Sequence, residues 1–199
     1  MAIPSDTLWE VQTTGSDNNG GGWSNAQKGA TGVDMTQAAP VTFTATLSAV
    51  GTTTLTDSAN GFLNTMLGNV INIAGQGSYC IQGFIGVGSV TVDRALGTFS
   101  TTTGVVGGPR ISVGSVGSVM TAGNTIWTKT GTYSITSATA NIAGGCLSLA
   151  VQSGNVTALI QGYGSSRGDT GTATLQASGI STFTIVKTNA GNTARNLIL

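Results

Sequence analysis

The clearest pattern in this chain is alternation. "VTFTATLSAV", residues 41–50, sets Val41, Phe43, Ala45 and Leu47 against Thr42, Thr44, Thr46 and Ser48. A period of two belongs to a strand with one buried face and one wet face. Gly51 supplies a turn, and Thr52–Thr56 returns. "NVINIAG", "YCIQGFIGV" and "SVTVDRAL" add three short apolar runs punctuated by glycine, so residues 40–96 are expected to form a small β-meander or barrel. "ANGFLNTMLG" between them has room for one helical turn. Further on, "AGNTIWTKTGTYSIT" predicts two strands, Thr125–Lys129 and Thr132–Thr136, joined at Thr130-Gly131. Strand-like pieces recur at Cys146–Val151, Ala158–Gln161, Thr172–Ala177, Phe183–Val186 and Asn196–Leu199, separated by turns rich in Gly, Asn and Ser. No amphipathic helix of useful length lies among them. Many short strands without helices can build a sandwich, a barrel or a solenoid. Their shortness and uneven turns favour the solenoid, in which each coil needs only a few inward apolar residues.

Two segments lack a clear pattern. Residues 1–39 contain "TTGSDNNGGGWSNAQKGATG", a concentration of turn residues, and read as an irregular N-terminal arm. Trp9 and Trp23 flank it, and a tryptophan needs burial, so these two are the expected anchors. Packing within the chain is the default for both, and docking to a neighbouring subunit the alternative. Residues 97–121, rich in Gly and Ser, read as a connection leading into a short helix or strand near Val113–Met120. The stacked-strand region then covers residues 122–199.

Composition sharpens this picture. The chain of 199 residues has 31 glycines and only 7% charged residues, against roughly 25% in ordinary soluble domains. Glycine and β-branched residues disfavour helices, and the β-branched ones suit a pleated surface. Seven basic and seven acidic residues cancel, so no net field draws the chain to nucleic acid or to an acidic membrane. A neutral surface is poorly protected against self-association. The opening MAIPSDTLWE has neither the basic stretch nor the apolar run of a secretory signal. No apolar run reaches the length of about 18 residues that a membrane span needs. Cys80 and Cys146 read as two buried free thiols in a reducing compartment, with a single disulfide left open.

Several stretches together resemble a family of bacteriophage virion proteins: "WEVQTTGSDNNGGGW", "MLGNVINIAG…VTVDRALGT", "AGNTIWTKTGTYSIT…LIQGYGSSRGDTGTATL" and "NLIL". In that family a small N-terminal β-region leads into a right-handed parallel β-helix of the pectate-lyase or tailspike type. "GNTIWTKTGTY" resembles its entry strand into the first coil and "LIQGYGSSRGD" the next coil. The resemblance implies an all-β protein: a small meander or barrel followed by the first coils of a parallel β-helix. It implies a virion structural component, made in the host cytoplasm, with other virion proteins as partners and a homotrimer as the assembly. The leading expectation is the particle-attached N-terminal part of a fibre or spike used in assembly and host attachment, with the arm docking to capsid or tail. A capsid decoration protein is the second reading, and a polysaccharide depolymerase with its catalytic part elsewhere the third. Because Ile198-Leu199 read as mid-strand, the chain is expected to be part of a longer protein.

The residues offer little chemistry. Glycoside hydrolysis needs two carboxylates about 5–10 Å apart. Of Asp6, Glu10, Asp17, Asp34, Asp57, Asp93 and Asp169, only Asp169 falls in the region read as coils. Without histidine, Ser-His-Asp and Cys-His sites are excluded. The chain is therefore expected not to be an enzyme and to hold no cofactor or metal. "SDNNGGG" lacks the ligand spacing of a calcium loop and reads as a turn in which Asp17 and Asn18 bond their own backbone. "GVGSV" and "GVVGGPR" lack the Gly-Lys-Ser/Thr of a phosphate loop. Arg167-Gly168-Asp169 spells an adhesion tripeptide but is expected to be a solvated turn with a local Arg–Asp pair, as is Asp93-Arg94. Tyr79, Tyr133 and Tyr163 are expected in the core or at coil edges.

Overall fold

The computed structural model describes residues 3–135, 147–148, 159–177, 186–187, 193–195 and 197–198. The protein is all-β, with one short α-helix among the described residues, and divides into two compact units. The first holds residues up to Asp6 together with Asn18–Pro109, and the second Thr7–Asp17 together with Arg110–Leu199. The arm expected over residues 1–39 is thus shared out between them. Strand β1 (Leu8–Val11) belongs to the second unit and β2 (Gly22–Trp23) to the first.

Six strands of the first unit close a barrel: β3 (Val41–Val50), β4 (Thr54–Asp57), β5 (Val70–Ile73), β6 (Gly77–Gly86), β7 (Ser89–Val92) and β8 (Thr98–Val106), in the order β3-β4-β7-β6-β5-β8. Closure removes the exposed sheet edges that would invite aggregation. The interior is filled by Phe43, Leu47, Leu55, Phe62, Met66, Ile71, Ile73, Ile81, Val90, Val92 and Val106. A single turn of 3₁₀ helix at Asn64–Met66 drops Met66 into that core.

The closing strand β8 lies in the stretch expected as a connection. It pairs with β3 on one side and β5 on the other. "TFSTTTGVV" reads as a loop because its hydroxyl residues blur the alternation, yet threonine suits an outward strand face well. Gly104 lies where β8 crosses the interior. A Cβ there would run into the end of the Leu47 side chain and come within 3.3 Å of Ile71 Cδ1, so any larger residue makes Leu47 shift in the core.

Ala45, expected inward, is exposed. The β3–β8 register shifts between Phe43 and Leu47, and Ala45 and Thr101 both adopt a left-handed backbone, with φ of 54° and 51°. Bulges of this kind bend a strand so that a small barrel can close. A β-branched residue at positive φ is strained. Thr101→Gly is therefore expected to stabilise the barrel by about 0.5–1 kcal/mol. A urea midpoint that stays put or falls would show the strain to be absent.

The second unit is built from parallel pairs. Its strands are β1, β9 (Thr125–Lys129), β10 (Gly131–Ile135), β11 (Leu147–Ser148), β12 (Leu159–Tyr163), β13 (Ala173–Ala177), β14 (Val186–Lys187), β15 (Thr193–Arg195) and β16 (Leu197–Ile198). One sheet runs β1-β9-β12-β15, a second β10-β13-β16, and β11 pairs with β14. Trp9 lies opposite Ile126, Ile126 opposite Ile160, and Ile160 opposite Ala194, the last two steps equal along the chain. Ile126 and Ile160 are fully buried, as are Ala173 and Leu175 on β13. The piece expected at Phe183–Val186 lies outside the described residues up to Val186, and Cys146 lies outside them as well.

Helix α1 (Val113–Gly117) begins at Ser112, whose hydroxyl accepts from the Ser115 N–H at 3.2 Å. Asp17 locks this start. Its carboxylate accepts from the Ser112 N–H (3.0 Å), the Ser112 hydroxyl (2.8 Å) and the Ser115 hydroxyl (2.7 Å). These bonds, rather than the local turn expected of Asp17, fix the side chain, and a carboxylate suits the start of a helix.

Candidate functional site

The densest polar cluster is in the parallel unit, around Glu10. Glu10 is fully buried on β1. It accepts hydrogen bonds from the Tyr163 hydroxyl and, at 2.9 Å, from the Gln12 amide. Arg167 closes the group with Nε at 2.9 Å and a terminal nitrogen at 2.8 Å from Glu10 Oε2. Two donors aimed at one carboxylate oxygen hold the guanidinium firmly. The pair expected between Arg167 and Asp169 is thus replaced: burial of Glu10 without a cation would be prohibitive, and Arg167 supplies it.

Asp169 does something else. Its carboxylate accepts from the backbone N–H groups of Gly164 (2.6 Å), Ser165 (2.8 Å), Ser166 (3.0 Å) and Gly171 (2.9 Å). These amides hold its pKa far below the usual carboxylate range. A depressed folded-state pKa gives stability that is complete above the unfolded value of about 3.9 and fades as the pH falls below it. Asp169→Ala should therefore speed amide hydrogen exchange at Gly164, Ser165, Ser166 and Gly171 at neutral pH. Unchanged exchange at all four would refute this role. Both halves of the Arg-Gly-Asp tripeptide are thus committed to the fold.

Trp9 is also committed inward. It is fully buried, its indole N–H donates to Asn124 Oδ1 at 2.9 Å, and the Arg110 guanidinium lies 5.3 Å from its ring centre. Burial draws the Arg110 pKa down to about 10, against the pull of Asp17. As a docking anchor Trp9 has no surface to offer. Trp23 is half-buried on β2, bridged to Asn69, and its shielded indole N–H has no acceptor among the described residues. Of the two tryptophans it alone keeps an accessible face. Tyr79, Tyr133 and Tyr163 are all buried.

Among the described residues, clefts large enough for a small molecule include one of about 400 Å³ in the barrel unit, walled by Asn18, Asn19, Asn72 and Thr103 without a charged group, and two others. One of about 250 Å³ in the parallel unit is lined by Thr13, Ile111–Gly114 and Thr132–Ile135, with no carboxylate or basic group. The other, about 300 Å³ in the barrel unit, has Asp6 and Asp93 on its walls. Asp6 is held by the Ser24 hydroxyl (2.5 Å) and the Ala26 N–H (2.8 Å). Asp93 accepts from the Cys80 N–H at 3.0 Å and pairs with Arg94 at 2.7 Å, as a strand-end pair should. Burial raises the Asp93 carboxyl despite Arg94, and burial likewise pushes the Cys80 thiol up. Among the described residues no three Asp, Glu, Cys or His side chains converge as metal ligands, and no helix is long and apolar enough to cross a membrane.

Sequence reasoning missed Glu10, because it assigned β1 to an arm. The signal was present in "LWEV", where a lone glutamate sits inside a strand-forming run. What the two units define is an all-β protein with a closed barrel and in-register parallel strands. No protein-family model, no curated protein and no solved structure matches the chain.

Proposed function

We propose that this chain is a structural component of a bacteriophage virion, the particle-attached N-terminal part of a fibre or spike built on a parallel β-helix. The observation that carries this reading is the repeated parallel register in the second unit, where Ile126, Ile160 and Ala194 succeed one another across three strands. Parallel strands stacked in register with long connections are the way a solenoid coil is laid on the one before it. The polar groups described above support it: Asp169 and Asp17 hold backbone amides in place, and Glu10 and Arg167 tie β1 to the loop after β12. Rigidity of that kind suits a part that must transmit force without bending. The partners are other virion proteins and, as the sequence resemblance implies, two further copies of the chain.

Antibodies raised against this chain should label purified phage particles by immunogold electron microscopy. Particles that carry the protein nowhere would overturn the reading. An intact mass near 19.8 kDa for the labelled protein would instead make it a decoration protein. Deleting residues 1–39 is a poor test of docking, since it removes β1 and Glu10 from the folded unit. Trp23→Ala is the cleaner variant: loss of incorporation with a folded barrel supports docking through that residue.

A further inference from the structure

The chain contains two Asn-Gly pairs, Asn19-Gly20 and Asn60-Gly61. This dipeptide carries its own chemistry, because glycine has no Cβ to shield its backbone nitrogen. That nitrogen can attack the side-chain Cγ of the asparagine before it. A C–N bond forms, the side-chain nitrogen leaves as ammonia, and a cyclic succinimide remains. Water then opens the ring at either carbonyl, giving aspartate or isoaspartate, and no other reactant enters. The fold treats the two pairs differently. Asn19 is 8% exposed, its side-chain amide donates to the Pro109 carbonyl at 2.8 Å, and the Gly20 N–H donates to the Gly107 carbonyl at 3.1 Å. The nitrogen that would attack and the nitrogen that would leave are both tied down. Asn60 and Gly61 are instead both exposed, just beyond β4.

One residue restrains the exposed pair. Asp57, the last residue of β4, is 3% exposed. Its carboxylate accepts from the Gly61 N–H at 2.5 Å and from the Ala59 N–H at 3.1 Å, and its carbonyl accepts from the Asn60 N–H at 3.2 Å. Asn60 is held in a left-handed backbone, with φ of 57°. Ring closure needs the Gly61 nitrogen to swing onto the Asn60 side chain and to shed its proton. The bond to Asp57 opposes the swing, and a carboxylate charge beside that nitrogen disfavours loss of the proton. We propose that Asn60-Gly61 is a succinimide-forming modification site and that Asp57 keeps it closed in the folded barrel. Conversion puts a new carboxylate close to buried Asp57, in a stretch, residues 58–92, that otherwise contains no Asp, Glu, Lys or Arg. Isoaspartate also adds a methylene to the backbone, which moves the Gly61 N–H off Asp57. This chemistry does not depend on the role proposed for the chain.

The test incubates the full chain in mildly alkaline buffer, folded and in guanidinium chloride, and follows both asparagines by peptide mapping with tandem mass spectrometry. In denaturant both pairs should convert quickly. In the folded wild type Asn60 should convert more slowly than in denaturant, and Asn19 more slowly still. Asp57→Asn keeps the side-chain shape and removes its charge. It should speed conversion at Asn60 by about tenfold, the effect of weakening one charge-assisted hydrogen bond, while Asn19 stays protected. Asn19 is thus an internal control, because global unfolding releases both pairs at once. Three results overturn the proposal: folded wild type converting Asn60 as fast as the denatured chain, Asp57→Asn leaving the Asn60 rate unchanged, or no conversion at Asn60 in denaturant. Release of Asn19 together with Asn60 in the variant also overturns it, since Asp57 would then hold the whole barrel rather than this turn.

Discussion

Arg167→Met is expected to lower the free energy of unfolding by about 3 kcal/mol, the lower end of the range for breaking a buried ion pair. The Arg167 side chain is 17% exposed, but Glu10 is fully enclosed, so the loss falls on the carboxylate. Without the guanidinium, Glu10 keeps Tyr163 and Gln12 as donors but loses the cation that faces its buried carboxylate. The double variant Glu10→Gln/Arg167→Met should recover at least half of the loss, because a neutral amide can still accept from Tyr163. Urea denaturation of wild type and the variants decides this. A change below about 0.5 kcal/mol in Arg167→Met would place the pair among ordinary surface contacts.

Phe62→Ala is expected to cost about 4 kcal/mol, the middle of the range for removing a buried aromatic ring. Phe62 is fully buried, and its ring centre lies 4.7 Å from that of Phe43, tilted by 34°. The variant therefore loses the transfer of a whole ring, part of an aromatic pair, and the packing around the hole that remains. Its neighbour Leu63 is 52% exposed, so Leu63→Ala should stay within about 0.5 kcal/mol of wild type. Equal losses for the two would mean that the barrel core is not where the structure puts it. The contrast also separates the roles of adjacent residues: Phe62 holds the barrel together, and Leu63 faces solvent.

Much of the barrel could be read directly from the chain. Phe43 and Leu47 face inward as the alternation in "VTFTATLSAV" requires, and the helical turn in "ANGFLNTMLG" falls at Asn64–Met66. The strands at Thr125–Lys129 and Gly131–Ile135 also sit close to their expected bounds. Local side-chain chemistry suffices for these, since a half-buried strand writes its two faces into consecutive residues. The misses share a different cause. Strand β8 hid in a threonine run, because what defines it is pairing with β3 and β5 rather than its own pattern. Ala45 left the core because a bulge, which exists only between two strands, broke the period.

The candidate cluster was less legible still. Glu10 and Arg167 lie far apart in sequence, and nothing near either one names the other. Asp169 was expected to pair with Arg167 two residues away, yet it turned to four backbone amides of its own loop. Trp9 was a candidate for a partner's surface until β1 took its place beside β9 and buried the indole against Asn124.

The amino-acid sequence alone determined that this protein is built of strands, that it is almost without charge, and which faces of its best-patterned strands turn inward. Those properties depend on each residue's own chemistry and its nearest neighbours. Tertiary structure decided which strands close the barrel, where the N-terminal strand goes, and which cation answers the one glutamate. Those depend on pairings between distant segments, and backbone hydrogen bonds, identical for nearly every residue, do not announce their partners in the chain.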